Sequence, residues 1–322
     1  MKTFALILLL FAATARAELV RYTTGNADDV RPRLHGPVLD LAGGGADVEA
    51  ALQAMIDEVR GCTSCATKLD VVVLRASGAD GYNDFLYKMK GVDSVVTLVI
   101  TDRDSANRPE VARQVHDAEI VFFAGGDQCN YVRWIKGTRA GEAVKAVYRR
   151  GGGVGGTSAG LAIQSEVVYD ACPSQSAQSK DVLADPFSVD VSLSRGFFTW
   201  PVMRGTIADT HFKQRDRMGR LLVFIARALH DRLGKSFLGI GVSERTSLLV
   251  SRDGTARVMG EGPVYLVLGD HQPETCERGR PLTYRGYKEW ILRSGERVDL
   301  RHRPKSGYRV IDVVEGTRTA DP

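Results

Sequence analysis

The sequence predicts an α/β fold with a mostly parallel, doubly wound sheet, as in class I glutamine amidotransferases, and a β-rich C-terminal extension. From residue 37 onward, short apolar runs alternate with helical patterns, which is the order that produces a parallel sheet. The runs are nearly continuous in apolar residues, as expected for strands covered on both faces. Glycine turns follow several runs, and a doubly wound sheet places its sites at these carboxyl ends of strands.

The first strand and helix are predicted within residues 37–61. PVLDLAGGG, at 37–45, is typical of a strand that ends in a glycine turn. In ADVEAALQAMIDEVRG, which follows, the apolar side chains fall on one face of a helix. These side chains are Val48, Ala51, Leu52, Met55, Ile56 and Val59.

Three more strands are predicted before the middle of the chain, at 69–77, 94–100 and 118–126. Helices are predicted between them at about 81–90 and 106–116. This alternation indicates that the strands are parallel and are connected by helices.

The last part of the chain changes character near residue 256. VYLVLG, PLTYRGYKEWILRSG and GYRVIDVVEG resemble strands joined by glycine turns. We therefore divide the mature chain into a main domain, 18–255, and a β-rich extension, 256–322, packed on it.

Residues 1–17 have the composition of a secretory signal peptide. Lys2 supplies the positive charge, residues 4–13 form the apolar segment, and Ala15-Arg16-Ala17 matches a cleavage site. The apolar segment is too short for a stable membrane-spanning helix. The sequence therefore predicts an exported protein, periplasmic or secreted, with no membrane association after cleavage.

The charge balance gives no sign of a strongly charged partner. The chain has 43 Lys and Arg against 39 Asp and Glu, a net charge of +4. Loss of Lys2 and Arg16 with the signal peptide leaves about +2. This balance argues against nucleic acid and against an anionic membrane surface as partners.

The chain contains five cysteines, an odd number for an oxidising compartment: Cys62, Cys65, Cys129, Cys172 and Cys276. Cys62 and Cys65 could form a local disulfide and Cys172–Cys276 a second one, although the sequence does not settle the pairing. A thioredoxin-like role for Cys62-Thr-Ser-Cys65 is disfavoured, because the pair ends a helical stretch instead of opening a helix. A second pair of zinc ligands at matching spacing is missing. We expect neither a metal nor another cofactor.

Two glycine patterns overlap in residues 151–160. Residues 151–156 fit the dinucleotide pattern G-x-G-x-x-G, and residues 156–160 fit G-x-S-x-G. A dinucleotide site needs a strand before the glycines and an acidic residue about 20 positions later. The preceding GEAVKAVYRR is helical, and QSAQSK at 175–180 has no carboxylate. The first pattern is therefore disfavoured.

The second pattern fits its surroundings. A helix at 139–150 is followed by a short buried strand, then by Ser158 and a helical AGLAIQSE. This is the strand–turn–helix context of a nucleophile elbow. The small residues Gly156, Ala159 and Gly160 allow a sharp turn that exposes the hydroxyl and aims backbone amides at a developing oxyanion.

A nucleophilic serine needs a general base, and His211 is the best candidate. It stands in ADTHFKQRDRMGRLLVF, where three arginines follow and suggest a site for a carboxylate. The other histidines fall in predicted surface, helical or turn positions: His35, His116, His230, His271 and His302.

Four segments together resemble the motif blocks of the cyanophycinase family. They are FFAGGDQ (122–128), GGTSAGLAI (155–163), DTHFKQRDRMGRL (209–221) and GIGVSERTSL (239–248). Cyanophycinases are serine peptidases related to dipeptidase E, on a fold like that of class I glutamine amidotransferases. The resemblance therefore implies a serine peptidase that acts on a peptide or a cyanophycin-like polymer, and the predicted signal peptide implies that it is exported. It is also compatible with a homodimer.

The resemblance implies roles for individual residues. The triad would be Ser158 as nucleophile, His211 as base and Glu244 as acid, and the amides of Gly126 and Ala159 would form the oxyanion hole. Six residues match positions that hold a β-aspartyl-arginine substrate: Asp127, Gln128, Asp209, Arg215, Arg217 and Arg220. A guanidinium can hold the free α-carboxylate of a β-linked aspartyl unit in a bidentate fork.

Two features leave the details open. The family commonly has glutamine directly before the histidine, where this chain has Thr210, so the substrate could be the polymer, a dipeptide or another isoaspartyl peptide. Dipeptidase E-like relatives take the acid from between serine and histidine, where Asp170, Asp181, Asp185 and Asp190 are available. We prefer Glu244 because its block matches.

Two other functions remain as alternatives. A general α/β-hydrolase esterase would need a later histidine, His271 or His302, as its base. A non-catalytic binding protein on a hydrolase scaffold is the second alternative, because a fold can outlive its chemistry.

Overall fold

A computed structural model describes residues 19–173 and 176–319. The predicted signal peptide lies outside these residues. The described chain forms two large β-sheets with helices packed against them.

Five parallel strands form the centre of the first sheet, in the order β4-β3-β5-β6-β2. Their bounds are β2 (Val38–Ala42), β3 (Leu69–Arg75), β4 (Val92–Val99), β5 (Ile120–Phe123) and β6 (Gly153–Thr157). Almost every residue in them is buried, which explains their nearly continuous apolar sequences.

Antiparallel strands extend this sheet at both sides, so that it contains nine strands. Strand β1 (Val20–Gly25) pairs with β4. On the other side, β11 (Thr246–Val250) pairs with β2, followed by β12 (Thr255–Gly260) and β15 (Arg297–Asp299).

The second sheet has eight strands in the order β17-β16-β14-β13-β10-β9-β7-β8. Strands β7, β9 and β10 are parallel, and the remaining pairs are antiparallel. The bounds are β7 (Val167–Tyr169), β8 (Leu193–Arg195), β9 (Thr206–Asp209), β10 (Phe237–Val242), β13 (Val264–Gly269), β14 (Tyr284–Leu292), β16 (Arg309–Val314) and β17 (Thr317–Arg318).

The helices of the described chain are α1 (Glu49–Arg60), α2 (Asn83–Tyr87), α3 (Arg103–Ala106), α4 (Pro109–Asp117), α5 (Gln128–Trp134), α6 (Arg139–Arg149), α7 (Ala159–Ala162), α8 (Ser179–Ala184) and α9 (Met218–His230), with a 3-10 turn at Pro201–Met203. Local sequence signals set several of their ends. Helix α1 ends at Gly61 in the left-handed conformation, and α4 begins at Pro109.

Three apolar clusters separate the layers. One contains α1 and one face of the first sheet, and a second lies between the opposite face of that sheet, helices α4 and α6, and the second sheet. The third packs α9 against the far face of the second sheet. Both sheets are therefore covered on both faces.

The predicted mixed α/β class is confirmed, but its arrangement differs from a single, mostly parallel sheet. The described chain has two mixed sheets, and half of the strand pairings in the first are antiparallel. The strands after residue 255 are not confined to one layer. Strands β12 and β15 join the first sheet, whereas β13, β14, β16 and β17 join the second.

The cysteine pairing corrects one expectation. Cys62 is bonded to Cys65, but Cys172 is bonded to Cys129 instead of Cys276, which is a buried thiol.

Within the described residues, no helix has the length and apolar character needed to cross a bilayer, and no cluster of three or more His, Cys, Asp or Glu side chains is arranged for a metal.

Candidate active site

Ser158 follows strand β6 directly and occupies a sharp turn into helix α7. Its φ of 53° and ψ of −114° are unusual for a residue with a side chain. Neighbouring glycines make the turn possible, because a Cβ on Gly160 would lie 2.1 Å from the Phe123 carbonyl oxygen, and one on Gly156 would lie 2.5 Å from the Gly160 oxygen. The structure therefore has the elbow conformation that the sequence predicts.

His211 lies just beyond the end of β9, and its ring faces Ser158. The Ser158 Oγ and His211 Nε2 atoms are 2.7 Å apart. The imidazole is mostly buried, and the His211 backbone N–H donates to the Gly43 carbonyl at 2.7 Å. The two side chains come from different sheets and meet where the carboxyl ends of β6 and β9 converge.

Glu244 lies just beyond the end of β10 and completes the arrangement. Its Oε1 is 2.6 Å from His211 Nδ1. The Glu244 backbone N–H donates to Oε1 of Gln214 at 2.9 Å, and Arg215 Nε is 3.9 Å from the carboxylate. Serine, imidazole and carboxylate thus form one hydrogen-bonded chain.

The pKa shifts of the two side chains favour a neutral His211 next to an ionised Glu244. Burial lowers the pKa of His211, although the hydrogen bond and charge of Glu244 act in the opposite direction. The same hydrogen bond lowers the pKa of Glu244. At neutral pH the imidazole can accept a proton from Ser158, and the carboxylate can stabilise the resulting imidazolium.

Two backbone segments lie beside Ser158, the start of α7 and the turn after β5. Ala159 is the first residue of α7, where a backbone N–H has no acceptor within the helix. The turn after β5 passes beside Ser158, since a Cβ on Gly125 would lie 3.5 Å from Ser158 Cβ. Gly126 next to it has φ +148°, and a side chain there would meet open space.

Asp127 and Gln128 lie at the start of helix α5. The Asp127 carboxylate accepts the backbone N–H of Cys129 at 2.8 Å and so caps the helix. Gln128 is half-buried, and its Nε2 lies 3.5 Å from the Tyr169 carbonyl.

Asp209 and Arg220 bind each other. Nε and an Nη of Arg220 lie 2.7 and 2.5 Å from the two carboxylate oxygens of Asp209, and both side chains are buried. Arg220 also donates to Ser176 Oγ and the Ala177 carbonyl, and its guanidinium lies 5.0 Å from the Tyr169 ring centre. Both charged groups are therefore already paired within the protein.

Arg217 lies between this pair and a small basic cavity. One of its Nη atoms donates to the carbonyl and the hydroxyl of Thr210 at 2.9 and 3.1 Å and is 3.6 Å from Asp209. Burial lowers the pKa of Arg217 to about 10. The cavity has a volume of about 160 Å³, and its charged lining comprises Lys213, Asp216, Arg217, Arg309 and Arg318.

Arg215 is more exposed than Arg217, with 54% of its side chain accessible.

The other candidate acids and bases have different partners. Asp170 is bonded to Ser194 and to the Cys172 N–H, and Asp185 binds the N–H groups of Phe187 and Gly279. The ring nitrogens of His271 contact two backbone carbonyls, and His302 contacts Asp299. Among the described residues, the carboxylate at His211 Nδ1 belongs to Glu244.

The glycine loop at 43–45 also belongs to the site. Its sequence predicts a turn after β2 but indicates no contact with the other site residues. A Cβ on Gly44 would lie 2.4 Å from Cε1 of His211, so the loop backbone lies against the imidazole. The only sequence signal was its position, a glycine run at the carboxyl end of a parallel strand.

No family model matches the chain, but several curated proteins are similar to it. A cyanophycinase of Trichormus variabilis is 29% identical over 223 residues, which cover 68% of this chain and 69% of the relative. One of Synechococcus elongatus is 29% identical over 225 residues, covering 68% and 64%. One of Geminocystis herdmanii is 26% identical over 229 residues, covering 69% and 78%.

A solved structure shows a similar fold. A peptidase from an acI-B1 Actinobacterium superposes with a TM-score of 0.56 at 17% sequence identity. The match covers 83% of this chain and 98% of that peptidase.

Proposed function

Because the chain belongs to the cyanophycinase family of peptidases, we propose that it is a serine-type exopeptidase that cleaves β-aspartyl-arginine or related isoaspartyl peptides. The observation that carries this proposal is the hydrogen-bonded chain from Ser158 Oγ through His211 to Glu244, with distances of 2.7 and 2.6 Å. This geometry matches that of an activated serine nucleophile.

In the acylation step, Ser158 Oγ attacks the carbonyl carbon of the β-amide while His211 Nε2 takes the hydroxyl proton. The tetrahedral oxyanion accepts hydrogen bonds from the amides of Gly126 and Ala159. His211 then gives its proton to the leaving amine as the C–N bond breaks, which leaves a β-aspartyl ester on Ser158.

In the deacylation step, His211 takes a proton from water, and the resulting hydroxide attacks the ester. Breakdown of the second tetrahedral intermediate returns the proton to Ser158 and releases the side-chain carboxyl of aspartate. Glu244 remains ionised throughout and stabilises the imidazolium at each step, as its lowered pKa permits.

The basic residues after His211 support a substrate with a free carboxylate. Arg215 is accessible, and Arg217 lines the small cavity. In this proposal these two guanidinium groups attract the α-carboxylate and fix the scissile carbonyl over Ser158. Gln128 and Asp127 would form the opposite side of the site, next to Gly126.

Arg220 and Asp209 take a supporting role in this proposal. Their charges are paired with each other and buried, so neither group is available to a ligand without breaking the pair. Their contribution is to hold the start of helix α9 against the end of β9, on which the loop with His211 and Arg217 depends.

We also propose that the protein is exported. Two disulfides, Cys62–Cys65 and Cys129–Cys172, support this, because such bonds persist in oxidising compartments. Together with the signal peptide predicted in residues 1–17, they favour the periplasm or the exterior of the cell.

The test is turnover of β-aspartyl-arginine dipeptide and of insoluble cyanophycin by the purified chain 18–322, with p-nitrophenyl esters measured in parallel. We expect release of aspartate and arginine from the dipeptide by cleavage of its β-amide, no activity in Ser158→Ala, and fluorophosphonate labelling of the wild type alone. Rapid ester turnover with inert peptides would instead favour a general esterase. Absence of labelling in both proteins would favour a binding protein.

A further inference from the structure

Three successive carbonyls, at the end of β2 and in the loop after it, each accept a backbone N–H from a segment that carries a different triad residue. The Ala42 carbonyl accepts the backbone N–H of Ser158 at 3.0 Å, and the Gly43 carbonyl accepts that of His211 at 2.7 Å. The Gly44 carbonyl accepts the N–H of Arg245, directly after Glu244, at 2.8 Å. The three segments come from distant parts of the chain, and this loop is a common contact of all three.

Gly44 also forms a surface under the imidazole. An added Cβ would lie 2.4 Å from Cε1, 2.6 Å from Nε2 and 3.0 Å from Nδ1 of His211, so it would overlap the ring. The φ of Gly44 is +99°, which residues other than glycine rarely adopt. Both observations require glycine here, and the first concerns the position of the base itself.

The glycines on either side face the acid. A Cβ on Gly43 would lie 2.0 Å from the Ser243 carbonyl oxygen, immediately before Glu244. A Cβ on Gly45 would lie 3.2 Å from Glu244 Cβ and 3.5 Å from its Oε2. The loop therefore controls the position of the carboxylate as well as that of the imidazole.

The ends of the loop are themselves held in place. The Gly43 N–H donates to the Thr246 carbonyl at 2.8 Å, which joins the loop to β11. Further along, the Asp47 carboxylate accepts the hydroxyl of Tyr82 at 2.8 Å. The chain is thus attached on both sides of Gly44, by Gly43 and by Asp47.

We infer that residues 42–45 are a positioning element for catalysis, in which Gly44 sets the imidazole between Ser158 and Glu244. This inference rests on the proposed serine-peptidase function and adds a specific requirement to it. Gly44 contacts no reacting atom of the substrate, and its effect on turnover passes through His211. Its replacement should therefore reduce kcat while leaving substrate binding intact.

The experiment compares Gly44→Ala with Gly295→Ala. Gly295 has a similar φ of +87°, but an added Cβ there meets no atom within 4 Å, so this variant controls for backbone strain alone. We expect at least a 100-fold loss of kcat in Gly44→Ala and less than a twofold change in Gly295→Ala. The Kd for β-aspartyl-arginine dipeptide, measured in a Ser158→Ala background, should change less than threefold.

Two readouts separate positioning from general loss of structure and from failure of the proposed function. The downfield proton NMR signal of His211 Nδ1–H, bonded to Glu244, should shift or disappear in Gly44→Ala and persist in Gly295→Ala. The rate of fluorophosphonate labelling should fall in parallel with kcat. If the wild type cleaves no β-aspartyl peptide, the proposed substrate is wrong, and these two readouts still test the positioning role.

The inference is overturned if Gly44→Ala keeps kcat within threefold of the wild type, or if Gly295→Ala loses as much activity. If Gly44→Ala does not fold, Gly45→Ala decides, because Gly45 is exposed and its contact with Glu244 is less severe. We expect a three- to tenfold loss of kcat in that variant. An unchanged kcat together with an unchanged NMR signal would refute the inference.

Discussion

Asp209 and Arg220 form a buried, two-point ion pair that joins the end of strand β9 to the first turn of helix α9. The nitrogen–oxygen distances are 2.7 and 2.5 Å, and the side chains are 3% and 2% exposed. His211 lies two residues after Asp209, so the pair holds the segment from which the His211 ring projects. The arginine-rich sequence after the histidine therefore combines two tasks, internal support and a basic surface near the site.

The first prediction concerns this pair. Arg220→Met removes the two-point partner of the buried Asp209 carboxylate and leaves only the more distant Arg217, at 3.6 Å, as a counter-charge. The free energy of unfolding should fall by about 3–5 kcal/mol. Thermal or urea unfolding measures the loss. The double variant Asp209→Leu/Arg220→Met should recover part of the stability, because the buried carboxylate is removed together with its partner, although Arg217 loses its contact with Asp209. Equal stability of Arg220→Met and the wild type would contradict a supporting role.

The second prediction concerns Glu244, the acid of the proposed triad. Glu244→Gln keeps the size of the side chain but removes the charge that stabilises the imidazolium, so kcat should fall by about two to four orders of magnitude. The hydrogen bond and charge of Glu244 raise the pKa of His211, so their loss should also move the acidic limb of kcat/KM to lower pH. The pH profile from 4 to 9 tests both effects. Asp170→Asn is the matched control, and an equal loss there would reassign the acid.

The third prediction uses Arg215 to shift the same limb in the opposite direction. The positive charge of Arg215 lowers the pKa of His211, so Arg215→Gln should move the acidic limb of kcat/KM upward. Arg215 is largely exposed, so the shift should be small and should shrink as salt is added. A downward shift, or one that is insensitive to salt, would show that Arg215 acts on catalysis in another way.

Much of the fold and site is predictable because the signals are local. Continuous apolar runs indicate buried strands, and β2 to β5 occur where those runs lie. The elbow at Ser158 follows from its glycines, since only small residues permit the approach of Gly160 to the Phe123 carbonyl. His211 and Glu244, the partners of Ser158, could be identified because each lies in a motif block with the expected residue types at the expected spacing.

The remainder depends on contacts between distant segments. The sequence of an apolar run does not indicate which sheet the strand joins. The separation of β12 and β13 into different sheets was therefore not predictable. The sequence also carries no measure of burial, so Arg220 was indistinguishable from the accessible Arg215. In the same way, the bond between Cys129 and Cys172, 43 residues apart, depends on where helix α5 meets the segment after β7.

The fourth prediction concerns that disulfide. Cys129 is the second residue of α5, directly after the turn that carries Gly126, so the bond to Cys172 restrains one side of the proposed oxyanion site. The double variant Cys129→Ala/Cys172→Ala should lower kcat at least tenfold with a smaller effect on the Kd of bound dipeptide. The control is Cys62→Ser/Cys65→Ser, which removes the other disulfide and should retain full activity. Wild-type kcat in the first variant would show that the bond has no bearing on catalysis.

The fifth prediction concerns stability and pH. Asp40 on β2 is buried and accepts a hydrogen bond from Ser247, and burial raises its pKa to about 7. Because this value lies above that of an unfolded aspartate, about 3.9, the folded state binds the proton more tightly. The stabilisation from that proton is complete below pH 4 and is lost as the pH rises to about 7. Asp40→Asn should therefore gain stability relative to the wild type at pH 8 but not at pH 4.

Thermal unfolding of both proteins at pH 4, 6 and 8 measures the effect. A shift of about three pKa units corresponds to at most about 4 kcal/mol, so the midpoint at pH 8 should rise by several degrees in the variant. Asp28→Asn, at an exposed position, controls for the loss of a negative charge and should show no such trend. A variant less stable than the wild type at pH 8 would mean that the Asp40 carboxylate is ionised in the fold and stabilises it.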